Sequence, residues 1–172
     1  MTAATSLMQK QAKLFVVAVC LTTLAGIAVA IYPWRGMSWS ASRALKNADS
    51  YELFSLQPYL QWRDLSQPDF HGFQILGNTI VGDRETRGRL NSSFIAGTRE
   101  ADISPFACFE PRHGIRVVRN GKTTDFLICF TCKQVQVWTG DDANHEYFLV
   151  ASTPQPVFDE VLKKAGVPLP QN

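Results

Sequence analysis

The side chains best suited to chemistry lie in two short stretches, CFEPRHG at 108–114 and ICFTCKQ at 128–134. Together they hold three of the four cysteines, with Arg112 and His113 alongside. Thiolates and an imidazole suit tetrahedral zinc, so Cys108, Cys129, Cys132 and His113 would make a Cys3His set. A Cys-x-x-Cys pair is also a redox unit when it opens a helix, because the helix dipole lowers the thiol pKa. In an oxidising compartment Cys108 would instead bridge to Cys129 or Cys132, tying a loop to a hairpin and leaving one thiol free. Free cysteines packed with Phe109 and Phe130 are a fourth reading. The pattern favours the two structural readings. The gap between Cys108 and His113 is not a zinc-knuckle spacing, a second Cys-x-x-Cys is missing, and this one joins two strand patterns. Arg112, His113 and Arg116 near one loop also suggest anion binding.

A hairpin positions these groups. Asn120-Gly121 stands between the β-rich runs GIRVVR and KTTDFLICF, a strong signal for a two-residue turn. Pairing Arg119 with Lys122 then sets Arg116 opposite Asp125, Ile115 opposite Phe126, His113 opposite Ile128 and Arg112 opposite Cys129. Opposed residues share a face and neighbours alternate. One face therefore carries His113, Ile115, Val117, Phe126, Ile128 and Phe130, and is the core face. The other carries Arg112, Arg116, Asp125, Leu127 and Cys129, with Arg116 and Asp125 as a cross-strand ion pair. This register gathers the three cysteines at one sheet edge while turning His113 away from Cys129. His71 and His145 read as solvated or hydrogen-bonded strand-edge residues, and Asp141-Asp142 as a turn. No phosphate-cradling glycine loop, serine elbow or spaced carboxylate pair is present.

The remaining elements follow from periodicity and punctuation. YELFSL at 51–56 and the region Phe73–Leu76 read as strands, as do KQVQVW at 133–138 and HEYFLVA at 145–151. Asp83 is placed to cap a helix from Arg84 to about Ala96, with Gly97 just past its end. Its apolar face is thin, which suggests a surface helix. Thr153 caps and Pro154 opens a last helix through VFDEVLKK, closed by Gly166 and Pro168. The expected fold is α+β: a mostly antiparallel sheet of about five strands with two or three helices, preceded by a transmembrane helix.

That anchor is the apolar run LFVVAVCLTTLAGIAVAIY, Leu14 to Tyr32, nineteen residues without a charge. As a helix it would be about 28 Å long, close to the ~30 Å of a hydrocarbon core. Tyr32 and Trp34 end it with rings suited to the headgroup region. Ala28-Val29-Ala30 fits a signal peptidase, but the run exceeds a usual signal h-region, which favours an uncleaved anchor. The chain divides into a tail at 1–13, the anchor at 14–32, a linker with a short helix at 33–48, and a globular domain at 49–168. A short basic tail before one apolar segment resembles a signal anchor, placing the domain outside the cytoplasm. Residues 1–35 carry Lys10, Lys13 and Arg35 and no acid. The other 137 residues hold fourteen basic and fifteen acidic side chains, a balance that argues against nucleic acid.

At CFEPRHGIR…NGKTTDFLICFTC the chain resembles uncharacterised bacterial exported or membrane-anchored proteins with a CFxPRHGIR…CFxC pattern. The resemblance spans roughly residues 50–138 and is strongest from Cys108 to Gln136. It implies a bacterial envelope setting and carries no known activity. The expectation is a single-pass membrane protein that binds or scaffolds a partner, more a binding module than an enzyme and with no cofactor. The alternative is a zinc- or thiol-dependent site at Cys108, Cys129 and Cys132.

Overall fold

The computed structural model describes residues 36–59, 64, 66–102, 108–140 and 145–170. The expected anchor and tail lie outside them. Among the described residues no helix is long and apolar enough to cross a membrane.

Among the described residues the fold is α+β, with three helices and seven antiparallel strands. In chain order these are α1 (Trp39–Lys46), β1 (Ser50–Leu56), β2 (Asp69–Phe70), β3 (Phe73–Ile80), α2 (Arg84–Glu100), β4 (His113–Arg119), β5 (Lys122–Cys129), β6 (Gln134–Thr139), β7 (His145–Leu149) and α3 (Gln155–Lys164). The sheet order is β2-β3-β1-β4-β5-β6-β7. Strands β3 and β4 flank β1, both antiparallel to it, and α2 connects them. That is a split β-α-β unit extended by a meander. The count exceeds the expected five or so: all six runs read as strands are present, and the seventh, β2, has only two residues and pairs through the turn that follows it.

The hairpin register matches the expected one, from Arg119 opposite Lys122 to His113 opposite Ile128. Asn120 and Gly121 both take positive φ, the twist that a two-residue hairpin needs. The inner face of the sheet carries Tyr51, Leu53, Ile115, Val117, Phe126, Ile128, Val135, Val137 and Phe148, buried beneath all three helices. Helix α1, placed in the linker by sequence, buries Ala41 and Leu45 in this core.

Three helix expectations need correction. Helix α2 runs through Gly97 to Glu100. A Cβ at Gly97 would lie 2.5 Å from the Pro154 ring, so glycine is there to admit a neighbour rather than to end the helix. The same helix is no surface element: Leu90 and Phe94 are fully buried, and Phe94 meets Phe126, Phe148 and Phe158 at 6.1, 6.0 and 5.9 Å. Two bulky side chains embed it despite the thin stripe. Asp83 does cap it, accepting from the Thr86 amide at 2.7 Å. Helix α3 starts after Pro154 without a side-chain cap, and the Thr153 hydroxyl expected there donates to Glu100. Its end is as expected, with Gly166 at φ 73° and the Val167 and Gly166 amides donating to Leu162 and Lys163.

The outer face holds a second, smaller cluster of Phe54, Leu56, Phe70 and Leu127. The β2–β3 edge curls over it. Phe70 stacks on Phe54 at 4.6 Å and lies against Gly114, where a Cβ would stand 2.8 Å from its ring.

Candidate functional site

At the end of β5, Cys129 and Cys132 are joined in a disulfide that closes the turn into β6. Cys108 is free and exposed, whereas both bonded cysteines are only 1% exposed. This corrects the expected bridge from Cys108. Three residues apart at a tight turn, Cys129 and Cys132 are already neighbours, and Cys108 arrives from outside the hairpin. It still comes close, its Sγ lying 3.9 Å from Cys132 Sγ. Backbone amides address the bonded sulfurs: the Cys132 N–H donates to Cys129 Sγ at 3.0 Å, and the Glu110 N–H to Cys132 Sγ at 3.3 Å. The Cys-x-x-Cys ends a strand and opens no helix. Arg112 is anchored by its amide on the Ile128 carbonyl, and its guanidinium donates to the Tyr59 hydroxyl at 3.4 Å.

His113 does not join the cysteines. It projects from the inner face, 1% exposed, with its ring against Phe130 and Phe158. Nε2 meets the Asp159 carboxylate of α3 at 2.8 Å. Burial opposes charge on Asp159, yet the His113 hydrogen bond and the charges of His113 and Lys163 outweigh it and hold the carboxyl below its usual range. Ser55, fully buried, lies opposite His113 on β1. Neither its hydroxyl nor His113 Nδ1 has a hydrogen-bond partner among the described residues. Serine, histidine and aspartate thus share one region, but the hydroxyl is sealed in the core and out of a substrate's reach. With two thiols in a disulfide and His113 across the sheet, the proposed zinc ligands are not brought together. Among the described residues no group of three or more His, Cys, Asp or Glu is placed to hold a metal. Nor do Arg112, His113 and Arg116 share a side for an anion.

A site that the sequence reading left dispersed lies on the outer face. Arg116 grips Asp125 with two hydrogen bonds, Nε at 2.9 Å and Nη2 at 2.7 Å, while its guanidinium lies 5.1 Å from the Phe70 ring centre. His71 Nε2 meets the same carboxylate at 2.8 Å. His71 and Gly72 form the β2–β3 turn with positive φ at both positions, and Asp69 accepts from the Gly72 amide. Histidine is among the residues more tolerant of that region. The turn delivers the imidazole across the sheet to β5. Burial again opposes charge on Asp125, and the Arg116 and His71 hydrogen bonds prevail, leaving the carboxyl below its usual range. Trp138, opposite Asp125, stacks with His71 at 4.7 Å and with His145 at 4.3 Å; His145 also contacts Tyr147. An aspartate in the apolar run TTDFLICF was the visible signal for this hub; its histidine partner, 54 residues away, left none.

Grooves lie elsewhere. One of about 620 Å³ runs beside α3, lined by Gln155, Asp159, Glu160 and Lys163 among others; one of about 540 Å³ is lined by Lys46, Arg84, Arg87 and Asn91 among others, from α1 and α2.

No family model matches the chain, and no curated protein matches it. Among solved structures, a candidate lipoprotein of Clostridium perfringens is 13% identical, with a TM-score of 0.42 over 72% of this chain and 91% of that one.

Proposed function

We propose that the chain is a single-pass membrane-anchored protein of the bacterial cell envelope whose α+β domain stands outside the cytoplasm and acts by binding. The Cys129–Cys132 disulfide carries the placement, because such bonds persist in oxidising compartments and are rare in the cytosol. The apolar run at 14–32 supplies the anchor. Binding is favoured over catalysis because the groups capable of acid–base work are engaged with one another. Asp125 is held by Arg116 and His71, and His113 is buried against Asp159. The outer surface around Trp138, His145 and the exposed Tyr147 offers aromatic rings with polar edges, a composition suited to recognition.

Topology is testable through Cys108. In a Cys20→Ala background, a membrane-impermeant maleimide should label Cys108 in intact spheroplasts to the same extent as after lysis. Labelling that appears only on lysis would place the domain in the cytoplasm and overturn the reading.

A further inference from the structure

The three sulfurs at the hairpin end form an arrangement that a structural disulfide does not require. A disulfide between two buried cysteines, each 1% exposed as a residue, is shielded from external thiols, yet the exposed residue Cys108 has its Sγ 3.9 Å from Cys132 Sγ. We propose that Cys108 is the gateway of a thiol–disulfide relay, which passes the oxidising equivalents of the buried Cys129–Cys132 bond to an accessible cysteine pair on a partner polypeptide. This goes beyond the binding role and does not depend on it.

The exchange balances within the protein. The Cys108 thiolate attacks Cys132 Sγ, the Cys108–Cys132 bond forms, the Cys129–Cys132 bond breaks, and the electron pair leaves on Cys129. Thiolate attack of this kind is faster when the leaving sulfur is stabilised as an anion. The Cys132 amide already points its hydrogen at Cys129 Sγ from 3.0 Å, so the sulfur that must leave is the one that receives a donor. The Glu110 amide on Cys132 Sγ holds the central sulfur in place. After the shift, one disulfide sulfur belongs to Cys108, where a substrate can reach it. A substrate thiolate attacks Cys108 Sγ, Cys132 leaves as a thiolate, and a mixed disulfide with Cys108 remains. The second substrate thiolate attacks its own chain's sulfur in that bond and releases Cys108. Two electrons pass from the dithiol to the protein, which ends with three thiols, and the substrate ends as a disulfide. No other oxidant takes part in this single turnover.

The route differs from that of a thioredoxin-like pair. There the Cys-x-x-Cys opens a helix and its own first sulfur is the attacking group. Here the pair closes a hairpin, and reactivity depends on a third cysteine 24 residues away from Cys132.

The test uses the full chain in detergent micelles, with Cys20→Ala removing the remaining thiol and dithiothreitol standing in for the substrate dithiol. Reduction of Cys129–Cys132 is followed by acid quench, differential alkylation and peptide mass spectrometry. The relay requires reduction in Cys108→Ser to be at least about tenfold slower than with Cys108 present, because the buried bond loses its exposed entry. It also requires a Cys108–Cys132 or Cys108–dithiothreitol species in early quenches, since no purely structural cysteine would generate one. Equal rates in the two proteins would overturn the proposal. So would a slower Cys108→Ser variant when the protein that keeps Cys108 shows no Cys108-linked intermediate, which would assign Cys108 to packing alone.

Discussion

Asp125 is the residue on which the outer face turns. In its strand it is followed by four buried apolar side chains, Phe126 to Cys129, and three directed hydrogen bonds keep its carboxylate charged there. Removing a partner from a buried charge costs more than the pair itself contributes, because the remaining charge stays desolvated. Arg116 is partly exposed, which moderates the effect. Arg116→Ala is therefore expected to lose about 2 kcal/mol in urea unfolding, within the range for a hydrogen bond to a charged group. A loss under about 0.5 kcal/mol, that of an ordinary surface pair, would mean that His71 alone sustains the carboxylate. The Arg116–Asp125 contact was legible in the sequence because a two-residue turn fixes the register of the strands on either side. The His71 contact was not, because it depends on how the β2–β3 edge curls over the sheet. The cysteines divide in the same way. Their convergence followed from topology, whereas their pairing depended on side-chain placement at the turn, which strand alternation does not specify.

At the scale of elements, α2 shows how packing overrides local preference. Glycine lowers helix stability by about 1 kcal/mol relative to alanine wherever it sits in a helix interior, so on propensity alone Gly88 and Gly97 are equivalent within α2. A methyl added at Gly88 would meet nothing within 4 Å, whereas at Gly97 the Pro154 ring stands at 2.5 and 3.0 Å and Val150 at 3.2 Å. Gly88→Ala should raise the melting temperature by a few degrees, in line with a gain of up to about 1 kcal/mol. Gly97→Ala should lower it, since forcing a methyl against a rigid ring costs about 1–3 kcal/mol and outweighs the helical gain. Melting curves of the two variants decide the point; a rise for both would show that α3 shifts freely away from α2. The glycine that truly ends a helix, Gly166, was legible because it precedes Pro168 and takes the left-handed conformation that its position requires.

Among the described residues the sheet is covered by helices on its inner face and by the curled β2–β3 edge over part of its outer face, with a histidine–aspartate pair on each. His113–Asp159 lies beneath α3 on the inner face, and His71–Asp125 lies under the curled edge on the outer face. Both carboxyls are held below their usual range, which fixes the sign of the pH response. A group whose folded pKa is depressed contributes stability above its unfolded value, about 3.9 for aspartate, and loses that contribution as pH falls through the folded value. Stability should therefore lose both contributions only in acid, below about pH 4, with extra protons taken up on unfolding above the folded pKa values. Because the pairs face opposite ways and share no partner, their contributions should add. Asp125→Asn and Asp159→Asn should each flatten the fall of unfolding free energy between about pH 4 and pH 2, and the double variant should flatten it by the sum of the two. Urea titrations across that interval supply the slopes. Single variants with the slope of the parent would show that the two carboxylates titrate alike in the folded and unfolded chains. A double variant no flatter than either single would show that the two faces are coupled through the strands between them.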